Sequence, residues 1–212
     1  MSVGTVDEPA GDQKQFEFVG GELCLDFANT LSGTRECPRE RLKTYQDLLA
    51  WGRQAGILND DDLSYLGRLA AEHPRKAAAA LAEAVALREA LFRIIGAVTG
   101  GSRPAERDLA TLNAALPRAL NHLRVAPRTS GCQWEWAGEE GAMDRMLWPI
   151  ARSAADLLVS SEVQRVRRCA GETCDWLFLD TTRNRSRRWC DMSSCGNRAK
   201  ARRHYARKKA LE

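Results

Sequence analysis

The chain has 212 residues, of which 44% are hydrophobic, enough to build one large globular domain with a small second unit. The sequence does not begin with the cationic segment and uninterrupted apolar stretch that are typical of a signal peptide. The longest apolar run, around residues 91–98, is too short to cross a bilayer. We therefore expect a cytoplasmic protein without a membrane anchor. The net charge of +4 is unevenly divided, because residues 163–212 carry 14 Lys and Arg against 5 acids while the rest of the chain is net negative. Such one-sided charge predicts an anionic partner for the C-terminal part.

The N-terminal part is predicted to be mainly helical after a flexible arm. Residues 1–14 are small, polar and without periodicity, which indicates the arm. The segment VGGELCLDFANTL favours a helix that opens after Gly21. Thr44 is the predicted N-cap of the next helix, and Asn59 or Asp60 that of the one after.

Prolines and glycines set the predicted ends of the following helices. Pro74 is interpreted as the stop of the third helix, and the most regular apolar pattern then extends from about residue 75 to Thr99, with Gly100 and Gly101 behind it. A further helix is predicted over residues 104–116, with Pro117 ending or kinking it.

The apolar period changes after this helix. The segment HLRVAPRTSGCQWEW alternates on both sides of a Pro/Ser/Gly turn, which predicts a β-hairpin. Residues 143–158 then carry a helical apolar stripe with a kink expected at Pro149. We therefore predict a helical domain over residues 15–162 that contains a small β-hairpin.

Four of the seven cysteines form two equally spaced pairs. Four residues separate Cys169 from Cys174, fifteen follow, and four separate Cys190 from Cys195. Two local pairs joined by a short connector can converge on one tetrahedral ion, and zinc accepts four thiolates while leaving no position for a catalytic water. Disulfides are disfavoured in a reducing cytosol. Buried free thiols and a redox switch are the alternatives to the favoured structural zinc site.

The residues around the cysteine pairs predict a small zinc finger over residues 163–212. An extended segment would place Trp176, Phe178 and Asp180 on one side and Leu177 with Leu179 on the other, and a turn at Asn184-Arg185-Ser186 would return the chain toward Trp189. A helix follows, with a narrow strip of Ala199, Ala206 and Ala210 expected to lie against the hairpin. The predicted fold class is thus mainly α, with a hairpin-plus-helix finger that is treble-clef-like or ribbon-like.

The basic residues of the finger are candidates for phosphate and base contacts. Eleven basic residues and one acid lie between Arg183 and Lys209. Some of them would only neutralise a zinc tetrathiolate, and the excess predicts a phosphate-binding surface. The residues expected to read bases are Asn197, Arg198, Arg202 and Arg203. The residues expected to position the nucleic acid backbone are Arg183, Arg185, Arg187 and Arg188, with Lys200 and Arg207 as further contacts on the helix.

Three segments carry a resemblance to known families. With CAGETCDWLFLDTTRNRSRRWC before it, the sequence that begins Cys195-Gly196-Asn197-Arg198 closely resembles the CGNR-type zinc finger of bacterial proteins. VGGELCLDFANTL resembles the opening motif of the ABATE domain, which precedes that finger in the family, and MLWPIARSAADLL resembles its last helix. The resemblance implies a stress-linked transcription regulator whose finger binds DNA, with the four paired cysteines as zinc ligands.

The leading hypothesis is therefore a DNA-binding regulator with a helical domain for sensing or oligomerisation. RNA is the runner-up partner, because Trp176, Trp189 or Tyr205 could stack on unpaired bases, and a zinc-scaffolded protein-interaction module is a third reading. No phosphate-cradling glycine loop, nucleophile elbow or paired-carboxylate motif occurs, which argues against an enzyme. A small-molecule effector and a second copy of the chain are further partners to be considered. Asp26, Asn29 and Thr30 would border an effector pocket, with hydrogen-bonded burial as the simpler explanation.

Overall fold

The computed structural model describes residues 16–138 and 141–209, and within these ranges it is mainly helical, as predicted. The predicted arm over residues 1–14 lies outside the described residues. The helices are α1 Leu23–Ala28, α2 Tyr45–Gln54, α3 Asp60–Glu72, α4 Pro74–Thr99, α5 Glu106–Asn121, α6 Leu147–Val159 and α7 Asn197–Lys209. The strands are β1 Leu31–Gly33, β2 Pro38–Glu40, β3 Leu123–Pro127, β4 Cys132–Trp136, β5 Val166–Arg168 and β6 Leu177–Leu179. They form three separate antiparallel pairs, β1 with β2, β3 with β4 and β5 with β6.

Local capping signals begin two of the helices as predicted. Thr44 and Asn59 each form a capping box. The cap side chain accepts a hydrogen bond from the backbone N–H of the residue three positions on, and the carboxylate of that residue, Asp47 or Asp62, accepts one from the backbone N–H of the cap. The cap of α3 is therefore Asn59 rather than Asp60. The predicted β3–β4 hairpin is also present, with Val125 opposite Trp134.

Pro74 follows the end of α3 as predicted, whereas Pro117 and Pro149 occupy helix positions that were not predicted. Pro74 occupies the first position of α4, where a missing N–H costs nothing, so it begins that helix as well as following α3. Pro117 lies inside α5, which continues to Asn121 rather than ending at residue 116. Pro149 is the third residue of α6. A backbone N–H at this position of a helix has no partner within the helix, so proline removes no helical hydrogen bond there and gives no cause for the expected kink.

The β1–β2 hairpin was not predicted, because each of its strands is only three residues long and shows no alternation. Gly33 ends β1 with a positive φ of 84°, and a Cβ there would lie 2.4 Å from the carbonyl oxygen of Cys37, so the turn requires glycine. Arg88 of α4 is 2% exposed and donates two hydrogen bonds, of 2.6 and 2.7 Å, to the carboxylate of Glu40. This bidentate pair fixes β2 against the long helix.

One hydrophobic core extends through the helical region and into the C-terminal part. Its centre is α4, whose apolar face includes Leu87, Leu91 and Ile95. The same core also contains Val166 of β5 together with Leu177 and Leu179 of β6. The predicted domain boundary between residues 162 and 163 stays a prediction, and the core is continuous across it. No helix among the described residues is long and apolar enough to cross a membrane.

Candidate metal centre and basic surface

The first cysteine pair lies in the turn of the β5–β6 hairpin. β5 and β6 pair with Arg167 opposite Phe178, and Cys169 and Cys174 lie in the segment that joins them. The predicted hairpin between the segment around residue 178 and Trp189 is wrong, because β6 pairs with the strand that precedes it in sequence. The three residues of β6 are all buried, so the strand lies between two layers rather than at the surface.

The side chains of residues 176–180 alternate between two faces, as predicted, and each face packs in a different core. Phe178 packs with Trp176 and the four paired cysteines in a small second core. Leu177 and Leu179 point the other way into the core of the helical region. The strand thus connects the two cores, since successive side chains leave it on opposite faces.

The second cysteine pair leads into the last helix. Cys190 ends the loop after β6, and Cys195 lies in a single π-helical turn, Met192–Gly196, that continues into α7. Asp191 caps this turn by accepting from the backbone N–H of Ser194 at 2.8 Å. Hydrogen bonding from the Ser193 hydroxyl lowers the pKa of Asp191 to about 2.

The four cysteines form one compact buried cluster. All four Sγ atoms lie within 4.8 Å of one another, and the Sγ of Cys190 is 3.7 Å from those of both Cys174 and Cys195. With Zn–S bonds of about 2.3 Å, a tetrahedral zinc site has S···S edges of about 3.8 Å, so the observed spacing fits zinc. The protein binds zinc through these residues, which confirms the predicted cofactor. A site closed by four thiolates leaves no open position for a substrate.

The electrostatics of the cluster favour a divalent cation. Hydrogen bonding to Cys169 and Cys174 raises the pKa of Cys190 well above its usual range, and burial and the repulsion between neighbouring thiolates raise it further. A metal ion removes this repulsion and allows all four thiols to deprotonate. The backbone N–H of Cys190 also donates to the Sγ of Cys169 at 3.3 Å.

Two arginines support the cluster directly. Arg198 donates to the Sγ of Cys195 at 3.0 Å, and this hydrogen bond raises the arginine pKa. Arg187, one of the predicted phosphate contacts, is half-buried and donates to the carbonyl oxygens of Trp189, Cys190 and Val19. The structure therefore places both guanidinium groups in internal contacts, as expected for the share of the arginines that only neutralises and orders a zinc site.

The remaining loop arginines are at the surface. Arg183, Arg185 and Arg188 are exposed, and none of them takes part in a salt bridge among the described residues. Arg185 has a φ of 50°, in the left-handed region, which is consistent with its place in the predicted turn. The loop after β6 thus presents three cations together.

Helix α7 is largely exposed to solvent. None of its residues is buried, and it carries seven Lys and Arg and no acid between Asn197 and Lys209. The predicted packing of an alanine strip on the hairpin is wrong, since Ala199 is only half-buried and Ala206 is exposed, while Ala210 lies outside the described residues. A surface with so little apolar area cannot drive packing, so the helix extends from the zinc cluster into solvent.

The cations of α7 divide into two opposite faces. At about 100° per residue, Arg198 and Arg202 lie on one side of the helix, and the mean direction of Lys200, Arg203 and Arg207 is roughly 150° from theirs. The first side faces the finger, because Arg198 contacts the zinc cluster and Arg202 donates to Glu172 at 2.5 Å. We name Lys200, Arg203 and Arg207 the outer face. Asn197, a predicted base contact, donates to the carbonyl oxygen of Ser193 at 3.0 Å.

The motif at the start of the helical region completes the free edge of β6. The amide of Asn29 donates to the carbonyl oxygen of Leu177 and accepts from its N–H, both at 2.8 Å. Two residues along the same edge, the N–H of Leu179 donates to the carbonyl oxygen of Gly20 at 2.7 Å. These bonds satisfy backbone groups on the edge of β6 that faces away from β5, where the buried strand has no neighbouring strand.

The other polar residues of this motif hold its own backbone. Asp26 accepts from the N–H of Gly20 at 2.7 Å, and Thr30 donates from its hydroxyl to the carbonyl oxygen of Phe27 at 2.7 Å. Burial raises the pKa of Asp26 to about 6. The contacts of Asp26, Asn29 and Thr30 are those of hydrogen-bonded burial; an effector pocket at this motif stays a prediction.

A cleft of about 490 Å³ separates the β1–β2 hairpin from the finger. Arg39 and Arg41 line one side of it, and Arg198 and Cys195 line the other. The first two arginines were not predicted from the sequence, because positive charge was assigned to the C-terminal part, although residues 35–43 contain four basic residues. The clustering of these residues was a signal that the net negative charge of the N-terminal part concealed.

Comparison with protein families gives two adjacent matches. A model named ABATE, described as "Putative stress-induced transcription regulator", matches residues 21–161, about two thirds of the chain. The model of the CGNR zinc finger matches residues 165–208, which include all four clustered cysteines. No curated protein matches the chain.

Proposed function

Because the chain belongs to the ABATE family of regulators and carries a CGNR zinc finger at its C-terminal end, we propose that it regulates transcription by binding DNA through that finger. The proposal includes a role in a stress response, which the description of the family supports, and action in the cytoplasm. The proposal includes no catalytic activity, since a zinc ion closed by four thiolates has no open position for a substrate and the matched families are described as a transcription regulator and a zinc finger.

The observation that carries the proposal is the solvent-exposed basic helix held at its first turn by the zinc cluster. The outer face of α7 offers three cations without an acidic partner among the described residues. An α-helix with this charge fits the major groove, where arginine can pair with guanine. The inner side, Arg198 and Arg202, instead fixes the helix to Cys195 and to Glu172 in the segment that joins β5 and β6. We therefore assign base contacts to the outer face, and to Arg203 first.

The loop after β6 would contact the DNA backbone beside the helix. Arg183, Arg185 and Arg188 are exposed and precede the second cysteine pair. Together with the outer face they supply six cations, which gives an expected slope of log K against log salt of about −5. Arg39 is exposed on the other side of the cleft and would extend the same surface onto the helical region.

The test compares variants of opposite faces of α7 in the zinc-loaded full chain. Selection of bound sequences from random duplex DNA comes first, followed by titration of the selected site at several salt concentrations. We expect Arg203→Ala to weaken the selected site by about 10- to 100-fold and to relax its specificity. Arg185→Ala should weaken all sequences alike and flatten the slope by about one unit. Arg103→Ala, at an exposed arginine in the loop between α4 and α5, is the matched control. A slope near zero, or full affinity in the Arg203 variant, would reject the proposal.

RNA remains the alternative because one aromatic ring of the finger is exposed. Tyr205 is 70% exposed on α7 and could stack on an unpaired base. Trp176 is buried and donates from its indole to the carbonyl oxygen of Leu31 at 3.1 Å, so it serves the fold. Competition between the selected duplex and single-stranded RNA of equal length separates the two partners. Preference for RNA, with loss of that preference in Tyr205→Ala, would replace DNA as the proposed partner.

A further inference from the structure

The β3–β4 hairpin is a sheet of only two strands, so each strand has one outer edge. The N–H of Ala137 donates to the carbonyl oxygen of His122 at 2.7 Å, and the N–H of Arg128 donates to that of Gly131 at 3.0 Å. These two bonds fix the alternation of the ladder, because hydrogen-bonded pairs recur at every second residue of an antiparallel pair. The backbone groups of residues 133 and 135 therefore face β3, and those of residues 132, 134 and 136 face outward.

The two outer edges differ in what they offer to a further strand. β3 ends in Pro127, which has no N–H and so blunts its edge. β4 contains no proline, and each of its outward-facing residues offers both an N–H and a carbonyl oxygen: Cys132, Trp134 and Trp136. None of these groups has a hydrogen-bond partner among the described residues. The outer edge of β4 is therefore the one that a further strand can join.

The same edge borders an apolar face of the hairpin. Val125 and Trp134 lie directly opposite each other and are 60% and 58% exposed. The pairs on either side of them on this face are also apolar: Leu123 with Trp136, and Pro127 with Cys132. Arg152 of α6 covers only part of Trp134, with its guanidinium 4.4 Å from the ring centroid. One face of the sheet is thus apolar as far as the edge formed by β4.

We propose that β4 pairs with β4 of a second copy of the chain, antiparallel about a two-fold axis at Trp134. The outward-facing groups are symmetric about this residue, since Cys132 and Trp136 lie two positions to either side of it. Trp134 exchanges both backbone hydrogen bonds with Trp134 of the partner subunit, and Cys132 does so with the partner's Trp136. Every outward-facing group of both strands is then paired, and the contact is self-complementary, as a two-fold interface requires.

The side chains of β4 favour a second copy as the occupant and fix its register. On the polar face, the amide of Gln133 lies across from the carboxylate of the partner's Glu135, which is a favourable cross-strand pair. An axis at Glu135 would instead place two carboxylates opposite each other, and an axis at Gln133 would leave Trp136 opposite the hairpin turn. On the apolar face, Val125 and Trp134 of both copies form one stripe across four strands. The proposal does not rest on the proposed DNA binding.

Sedimentation velocity of the zinc-loaded full chain at increasing concentration tests the dimer. A reductant keeps the exposed Cys132 from forming a disulfide. We expect a reversible monomer–dimer equilibrium. Gln133→Glu should weaken it by about 3- to 30-fold, because two pairs of like charges then face each other across the axis, and Gln133→Lys should strengthen it by a similar factor.

These substitutions separate pairing between copies from stability of the hairpin. Within one copy, residue 133 lies diagonally across from Arg124 and Arg128, so a Glu there stabilises the hairpin and a Lys does not. Gln46→Glu makes the same change at an exposed position of α2, and it should associate as the parent does. A chain that stays monomeric at all concentrations, or a dimer that neither Gln133 variant alters, would overturn the proposal.

Hydrogen exchange measured by NMR locates the contact on one edge of the hairpin. In the dimer, the N–H groups of Trp134 and Trp136 should exchange more slowly as the concentration increases, because each donates to the partner subunit. The N–H groups of Leu123 and Val125, on the outer edge of β3, provide the internal comparison and should exchange at an unchanged rate. Protection that rises equally on both edges, or on neither, would reject the assigned pairing.

Discussion

Asn29 and Leu177 exchange two hydrogen bonds of 2.8 Å although they are 148 residues apart in the sequence. The amide of Asn29 acts like the backbone of a neighbouring strand, because it offers a donor and an acceptor to the free edge of β6. Asn29 is only 3% exposed, so water cannot take over these bonds. The zinc finger is therefore joined to the helical region by buried polar contacts as well as by a shared core.

Replacing Asn29 with Ala should lower the free energy of unfolding by about 2 to 5 kcal/mol, because it leaves one N–H and one carbonyl oxygen of Leu177 buried and unpaired. Urea unfolding of the zinc-loaded chain measures this change. Ser32→Ala is the matched control, since it removes a hydrogen bond from an exposed hydroxyl to the backbone of Arg39 and should cost under about 1 kcal/mol. Equal effects of the two substitutions would contradict the assigned role of Asn29.

Replacing Cys195 with Ser should abolish retention of the one zinc ion expected per chain, because a tetrathiolate site loses a ligand. Since Leu177 and Leu179 belong to the core of the helical region, we expect the loss to lower the melting temperature of that region as well. Metal analysis and circular dichroism melts measure the two effects. Cys132→Ser, at an exposed cysteine outside the cluster, should change neither. Zinc retained by the Cys195 variant would exclude the site.

Replacing Arg198 with Ala should accelerate zinc release to a chelator by about 10- to 100-fold, because the guanidinium donates to the Sγ of Cys195 and offsets the negative charge of the thiolates. A colorimetric chelator assay follows the release. Lys200→Ala removes an equal charge two residues further on, from the outer face of α7, and should release zinc at the parent rate. Faster release in both variants would point to a general effect of charge rather than to the contact with Cys195.

Asp26→Asn should stabilise the protein increasingly as the pH rises. The pKa of Asp26 is raised from 3.8 to about 6 in the folded protein, so the folded state binds the proton more tightly than the unfolded state does. The contribution of Asp26 to stability therefore falls as the pH rises from about 4 to about 6, and it is constant above that. We expect the stability advantage of the Asn variant to grow by about 1 kcal/mol between about pH 5 and pH 7.

The measurement is urea unfolding of both proteins in parallel, because the difference between them cancels the titration of other carboxylates. Glu22 is the neighbouring acid that adds to the raised pKa, and Glu22→Gln provides a control with a smaller effect in the same direction. An advantage of the Asn variant that does not depend on pH would show that Asp26 stays ionised throughout this range.

Much of the secondary structure could be predicted because its causes are local in the sequence. The capping boxes at Thr44 and Asn59 lie within four residues of the helix starts that they define. The cysteine pairs are equally local, since each is held by its own turn, and their spacing alone indicated zinc. Proline was the local signal that misled, because its effect depends on its position in the helix: Pro149 lies in a first turn, and Pro117 is tolerated within α5.

The sequence by itself thus determined the mainly helical class, the four-cysteine zinc site and the basic character of the last helix, because periodicity, spacing and charge are properties of short segments. Only the tertiary structure decided what these segments contact. It showed that β6 pairs with β5 and is completed by Asn29, that Arg187 and Arg198 serve the zinc cluster, and that Lys200, Arg203 and Arg207 form the free face of α7. Those distinctions depend on contacts between residues far apart in the chain, and a pattern of neighbouring residues contains no information about such distances.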